Sequence, residues 1–368
     1  MAHEQGFAFD PTRALPNTAF RRQDLADLEL DRIWHRDWIF VTSDDALPEP
    51  GDQLPVVIGT QHVLLLRRQD GTIAAMSNLC AHRGTLLVEA RANSKRVQCP
   101  YHAWTYADDG RLLSVPFAGP DEVDKAAHCL PNYQVAVWHG LIFVALGDGV
   151  EPFEDRVAAV DDLLTERGID ELHHWSNHQE TQFWDCNWKL AALNAMESYH
   201  LFQVHPETLE PYTPTKESYY IRGSARASAT GGANKGEKDY ILLSLPPGFV
   251  GVLTDSSFLW QAIHPSAVDQ CAVRTGGAFT ALPPERQDGT AARWATRAAN
   301  AALRSALPDF LPEDKAICER GQRGAAGDYT PGQLIDAERV VGDFGRYLDW
   351  RLNSVEPPGV HAADEVTE

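Results

Sequence analysis

Positive charge is scarce in this chain: 32 Lys and Arg stand against 52 Asp and Glu in 368 residues, a formal charge of −20. A field of that sign repels phosphate backbones and anionic lipid, so neither nucleic acid nor a membrane surface is an expected partner. Long apolar runs are also missing. The longest, residues 135–146, is interrupted by His139 and Gly140 and is too short to span a bilayer. The opening Met-Ala-His-Glu-Gln-Gly has no basic start followed by an apolar stretch, so no export signal is expected and a soluble cytoplasmic protein is. Cysteine, at six residues, is too sparse for a disulfide scaffold in a chain of this length. In a reducing compartment the question becomes which cysteines bind metal.

What is present is ordinary for a globular protein: 43% hydrophobic and 23% charged residues, too apolar for disorder. At roughly 150 residues per domain the length suggests about two domains. Residues 1–37 read as a lead-in segment, in which 21–37 (Leu25, Leu28, Leu30, Ile33, Trp34) pattern as an amphipathic helix. Over 38–147, short β-rich runs at 38–42, 56–58, 62–66 and 73–76 alternate with Pro, Gly and Asp-Gly punctuation. Residues 135–138 and 141–146 flank His139-Gly140 as a hairpin, and the whole stretch predicts a small all-β domain. Residues 148–353 mix strands near 173–183, 239–245, 257–264 and 270–280 with helices near 156–166, 188–203, 290–306, 312–320 and 332–351. The small, polar residues 223–238 predict a mobile loop and 354–368 a flexible tail. The expected fold class is α+β.

Two loops of the β-domain carry Cys80-Ala-His82 and Cys99-Pro-Tyr-His102. Each offers one thiolate and one imidazole. A structural Cys2His2 zinc site is compatible with that inventory, but zinc spacing usually groups cysteine with cysteine and histidine with histidine. One of each per loop suits a binuclear iron–sulfur centre with two cysteines on one iron and two histidines on the other. The surrounding words, Leu79-Cys-Ala-His-Arg-Gly84 and Gln98-Cys-Pro-Tyr-His-Ala-Trp-Thr-Tyr106, resemble the Rieske [2Fe–2S] motif of Rieske oxygenases. Cys129, Cys186, Cys271 and Cys318 stand apart from these loops and read as isolated buried thiols.

A second constellation lies at 186–206. Glu197 and His200 are three apart, on one helix face. His205 is five beyond His200, roughly 140° around a 3.6-residue helix, so the helix must end or bulge between them for both imidazoles to meet one ion. Pro206 is consistent with an ending. Two histidines need a carboxylate to make a facial triad for non-haem Fe(II), the bland reading being a pair of hydrogen-bonded core histidines. The run Asn187-Trp188-Lys189, Asn194, Glu197, Tyr199, His200, His205 resembles the catalytic-domain signature of Rieske non-haem iron oxygenase α-subunits, the aromatic-ring-hydroxylating dioxygenase family. Leu193 departs from it, since a Glu commonly precedes the Asn.

That resemblance implies a helix-grip catalytic domain, an antiparallel sheet with helices, following the Rieske domain. It implies a third iron ligand in 312–324, at Asp314, with Glu313 as rival and Asp336 a more distant alternative. It implies that Glu197 passes electrons between the cluster of one subunit and the iron of the next in a homotrimer, linking His200 to a second-loop Rieske histidine. The implied cofactors are the [2Fe–2S] cluster, mononuclear Fe(II) and O2 as co-substrate, with NAD(P)H acting through a reductase. The implied partners are a ferredoxin or flavin reductase and a small organic substrate, to be hydroxylated, dihydroxylated or demethylated. Aromatic compounds are the default. The Glu at 197 and the Tyr-His-x4-His-Pro-Glu phrase also resemble branches acting on quaternary ammonium compounds such as betaines. Arg83, Lys95 and Arg96, in and between the Rieske loops, form a basic patch expected to steer an acidic donor. Phe202, Trp260 and His264 are candidate pocket residues. A pure electron-transfer protein and a zinc-stabilised binding module are the competing classes.

Overall fold

The computed structural model describes residues 9–169, 175–279, 309–354, 359 and 361–362. The chain divides into two compact units, Trp34–Val150 and a second formed by Met1–Ile33 with Glu151–Glu368.

The first unit is all-β. Its larger sheet runs β1-β10-β9-β4-β3-β2-β5, built from β1 (Trp38–Ser43), β2 (Asp52–Ile58), β3 (Gln61–Arg67), β4 (Ile73–Ser77), β5 (Ala92–Asn93), β9 (Asn132–Trp138) and β10 (Leu141–Ala145). β1 and β10 are buried throughout, in keeping with the apolar run of β10 and of Trp38–Val41 in β1, whose last two residues, Thr42 and Ser43, are polar and also buried. The β9–β10 hairpin pairs Leu141 with Trp138 and turns on His139 and Gly140, both at positive φ (47° and 77°), as a two-residue turn of the right twist requires. A second sheet of three short strands, β6 (Val97–Gln98), β7 (Thr105–Tyr106) and β8 (Leu112–Ser114), carries the Cys99-Pro-Tyr-His102 loop between its first two strands. Cys80, Cys99, Trp104 and Tyr106 share a buried cluster with Leu64, Met76, Leu87, Val97 and Leu130.

The second unit is an eight-stranded antiparallel sheet in the order β11-β17-β16-β15-β14-β13-β12-β18. Its strands are β11 (Trp175–Trp184), β12 (Ser218–Gly223), β13 (Ser228–Gly232), β14 (Tyr240–Leu245), β15 (Phe249–Leu253), β16 (Ser257–Ala267), β17 (Gln270–Phe279) and β18 (His361–Ala362). The described helices are α1 (Gln23–Glu29), α2 (Phe153–Val157), α3 (Asp161–Glu166), α4 (Trp188–Ala195), α5 (Leu201–Val204), α6 (Leu311–Gly324) and α7 (Arg339–Asn353). α4 lies on β15, β16 and β17 and against α6, which also meets α5 and β11. The lead-in segment is tied to α4: Lys189 Nζ reaches Glu29 Oε1 at 2.6 Å, and Trp188 Nε1 donates to Glu29 Oε2 at 2.8 Å, all buried.

Several expectations are corrected. Residues 223–238 are not a mobile loop: they contain β13, buried along its whole length. Its small residues are there because aromatic rings lie across them; a Cβ on Gly231 would sit 2.9 Å from the Tyr219 ring, and one on Gly232 2.7 Å from the Tyr240 hydroxyl. Residues 21–37 are not one helix, because α1 passes into a π-turn at Leu30–Trp34 before β1 begins. The helix expected over 188–203 is broken into α4 and α5. The helix at 290–306 lies outside the described residues. Within the expected tail, His361 and Ala362 pair with β12. Cys129 is exposed, and the other three thiols are not isolated. Cys186 and Cys271 are buried with sulfurs 3.8 Å apart, and Cys318, also buried, donates to Leu190 O at 3.7 Å.

Candidate metal centres

The two Rieske words fold alike. Cys80 donates its N–H to Thr85 O (2.9 Å) and accepts from Gly84 N (2.8 Å); Cys99 donates to Trp104 O (2.8 Å) and accepts from Ala103 N (3.0 Å). In both loops the fourth residue after the cysteine is left-handed, Gly84 at φ 69° and Ala103 at φ 57°. Glycine adopts that region freely and alanine only at a cost, so the Ala103 turn is held by its surroundings. The His82 and His102 rings face each other edge-on, centroids 4.8 Å apart, and His82 stacks flat on Trp104 at 4.8 Å and 5°. Tyr106 Oη lies 3.3 Å from Cys80 Sγ and accepts from Ala81 N at 3.1 Å.

These donors fit a two-iron cluster. His102 Nδ1 is buried without a hydrogen-bond partner among the described residues, which in a folded protein points to a ligand. The four donors do not gather as a single-ion site would; only His200, His205 and Asp314 among the described residues bring three such atoms within 4.8 Å. Arg83, Lys95 and Arg96 are all exposed, and Arg83 extends over the Tyr101 ring.

The second centre is assembled from α4, α5 and α6. Asn187 caps α4, accepting from Lys189 N at 3.0 Å. The helix stops at Ala195, and Met196–Tyr199 break the chain before His200; the ending expected between His200 and His205 is the close of α5 at Val204. Glu197 fills that break. Its carboxylate accepts from Tyr199 N and His200 N and lies 2.6 Å from His200 Nδ1. His205 closes α5 in a non-helical conformation. α6 brings Asp314, whose Oδ1 is 2.8 Å from His205 Nε2 and 3.5 Å from His200 Nε2. Asn194 Nδ2 donates to the same oxygen at 2.7 Å.

The electrostatics follow. Burial opposes charging His200, but the hydrogen bonds and charges of Asp314 and Glu197 outweigh it and bring its pKa up to about 9. His205 is also raised against its burial, by Asp314 and Glu313. Asp314 is held below the usual carboxylate range, burial notwithstanding, by the two imidazoles and Asn194. Two imidazole nitrogens and one carboxylate oxygen within 4.8 Å of one another match the donor set of a 2-His-1-carboxylate Fe(II) site.

Glu313, the rival ligand, is not in that group: its Oε2 lies 2.6 Å from the far nitrogen of His205, Nδ1. Asp336 is in a 3-10 turn, 89% exposed, beside Arg339. Trp260 is buried on β16, sharing a strand face with His264, whereas Phe202 is half-exposed. Glu319 and Gln322, which belong to the stretch resembling the family's Glu-Asp-x4-Glu-x2-Gln and had no role assigned from it, bind α6 to the start of α4 through Asp185 N (3.1 Å) and Asn187 N (2.9 Å). Their i,i+3 spacing, with Asp314 and Cys318 on the same helix, was the available signal.

The chain belongs to the Rieske oxygenase large-subunit family. Residues 37–134 match the Rieske [2Fe–2S] domain and residues 167–354 the ring-hydroxylating alpha subunit catalytic domain. Those two domains imply a Rieske cluster and a mononuclear iron. Among relatives, the chain is 35% identical over 200 residues to the glycine betaine monooxygenase oxygenase subunit of Chromohalobacter salexigens, covering 53% of this chain and 44% of that protein. It is 32% identical over 194 residues to the anthranilate 1,2-dioxygenase large subunit of Acinetobacter baylyi, covering 50% and 41%. The chain thus aligns with less than half the length of these curated relatives. Of solved structures, a quaternary ammonium Rieske monooxygenase, CntA, superposes with a TM-score of 0.80 at 19% identity, over 93% of this chain and 97% of that one. A naphthalene 1,2-dioxygenase does so at 0.79 and 18%, over 96% and 95%. Both share the fold. No described helix is long and apolar enough to cross a membrane.

Proposed function

We propose that this protein is the oxygenase component of a Rieske non-haem iron system that oxidises a small organic substrate with O2. The observation that carries this is the convergence of His200, His205 and Asp314 in a chain that also bears the two Cys/His loops. Cys80, Cys99, His82 and His102 would hold the cluster; His200, His205 and Asp314 would hold Fe(II). Bound there, iron supplies the redox chemistry with O2 that side chains lack. The residues of the chain position it. Glu197 accepts a hydrogen bond from His200 Nδ1–H, and Asn194 fixes the Asp314 oxygen. Glu197 also serves as the electron bridge, pairing with His102 of the partner subunit in a homotrimer. Electrons come from a ferredoxin or flavin reductase in the cytoplasm, docked over Arg83, Lys95 and Arg96.

For substrate, an aromatic or other small organic acid is the first reading. A quaternary ammonium compound is the second, favoured by Glu at 197 and by the 35% identity to a glycine betaine monooxygenase. Donor oxidation and product formation measured across both classes separate them, since only the true substrate couples the two. The oxygenase reading itself predicts that His205→Ala abolishes product while the cluster spectrum stays intact; a variant that still forms product would refute it.

A further inference from the structure

Two consecutive residues of α6 hold one imidazole from opposite ends. Asp314 Oδ1 faces His205 Nε2 at 2.8 Å, and Glu313 Oε2 faces Nδ1 at 2.6 Å. The same Glu313 oxygen accepts from Thr208 Oγ1 at 2.7 Å, three residues beyond the histidine it serves. The backbone does not do this work. His205 terminates the four-residue α5 at φ −118°, ψ 43°, so no helical continuation sets the direction of its ring.

We propose that Glu313, fixed by Thr208, is a positioning residue for the iron. It accepts a hydrogen bond from His205 Nδ1–H, so keeps Nε2 unprotonated, and aims that nitrogen at the point shared with His200 and Asp314. It does for His205 what Glu197 does for His200, which lies 2.6 Å from its own carboxylate. A carboxylate behind a ligating histidine fixes its tautomer and raises its donor strength, and removing one costs about 10- to 100-fold in metal affinity. The inference rests on the reading of His200, His205 and Asp314 as the iron ligands.

The test uses the full-length protein with its cluster, stripped of mononuclear iron, and measures anaerobic Fe(II) affinity by competition with a chelating dye. Near-ultraviolet circular dichroism and melting temperature report folding. Glu313→Gln should weaken Fe(II) binding about tenfold or more. Thr208→Val should weaken it less, with Thr208→Ser restoring it. The double variant Glu313→Gln/Thr208→Val should be no weaker than Glu313→Gln, because the hydroxyl, though 3.5 Å from His205 Nδ1, gives its proton to the Glu313 carboxylate at 2.7 Å and acts through it. Glu207→Gln, which removes an exposed charge two residues from His205, should bind as the parent does. A Glu313→Gln protein within twofold of the parent, or an equal loss in Glu207→Gln, would overturn the inference alone. A parent that takes up no Fe(II), or a His205→Ala variant that takes it up unchanged, would bring down the ligand assignment and the inference with it.

Discussion

Tyr106 offers a quantitative test of the cluster site. Its ring is fully buried, and its Oη accepts the Ala81 N–H at 3.1 Å, so its own proton is left for Cys80 Sγ at 3.3 Å. Burial and the neighbouring Cys80 push the phenol well above its ordinary pKa, so it stays a donor at any working pH. With a cluster bound, Cys80 is a thiolate and can only accept. The hydrogen bond is stronger to the reduced cluster, which carries one more negative charge. Tyr106→Phe keeps the ring and deletes the donor. A net hydrogen bond is worth about 0.5–1.5 kcal/mol, and for a one-electron couple about 1.4 kcal/mol is 59 mV. The midpoint potential should therefore fall by up to about 65 mV, the limit reached if the bond counted in the reduced state alone. A redox titration followed by the visible absorption of the cluster measures it. A midpoint unchanged, or shifted upward, in a variant with normal cluster content would refute the reasoning.

Other consequences are as direct. Lys189→Met strands the Glu29 carboxylate in a buried site with one indole donor, and should destabilise the catalytic unit in urea unfolding by about 3–5 kcal/mol; the Glu29→Leu/Lys189→Met pair should cost less than the single change. Reversing charge at Lys95 and Arg96 should slow reduction by the electron donor about tenfold at low salt and little at physiological salt, where screening reaches about 8 Å; stopped-flow rates decide it. The Tyr240 hydroxyl, raised to about 12 chiefly by burial, keeps a proton that the unfolded chain loses near 10. Its contribution to stability is whole below about pH 10 and declines by about 1.4 kcal/mol per pH unit through that window. Tyr240→Phe should flatten the alkaline loss of stability, and an unaltered slope would exclude the assignment.

What the sequence determined by itself was everything carried by short spacing. Cys-x-His and Cys-x2-His each close within one turn, so the two Cys/His loops and the Rieske resemblance are local properties. Glu197, His200 and the requirement for a helix break before His205 are local in the same sense, since the angular step per residue dictates them. The hairpin at His139-Gly140 was readable for the same reason.

The tertiary structure decided what depends on packing between distant segments. Asp314 lies 109 residues from His205, and only the packing of α6 against α4 and α5, fastened through Glu319 and Gln322, singles it out from 52 acids. The same packing sends Glu313 to the back of His205 and leaves Asp336 in solvent. It also gathers Cys186, Cys271 and Cys318 from a loop, a strand and a helix, and turns a run of Ala, Ser, Thr and Gly into the buried strand β13. Small residues look like a loop when read alone; they form a strand here because aromatic rings from neighbouring strands occupy the volume their side chains leave free.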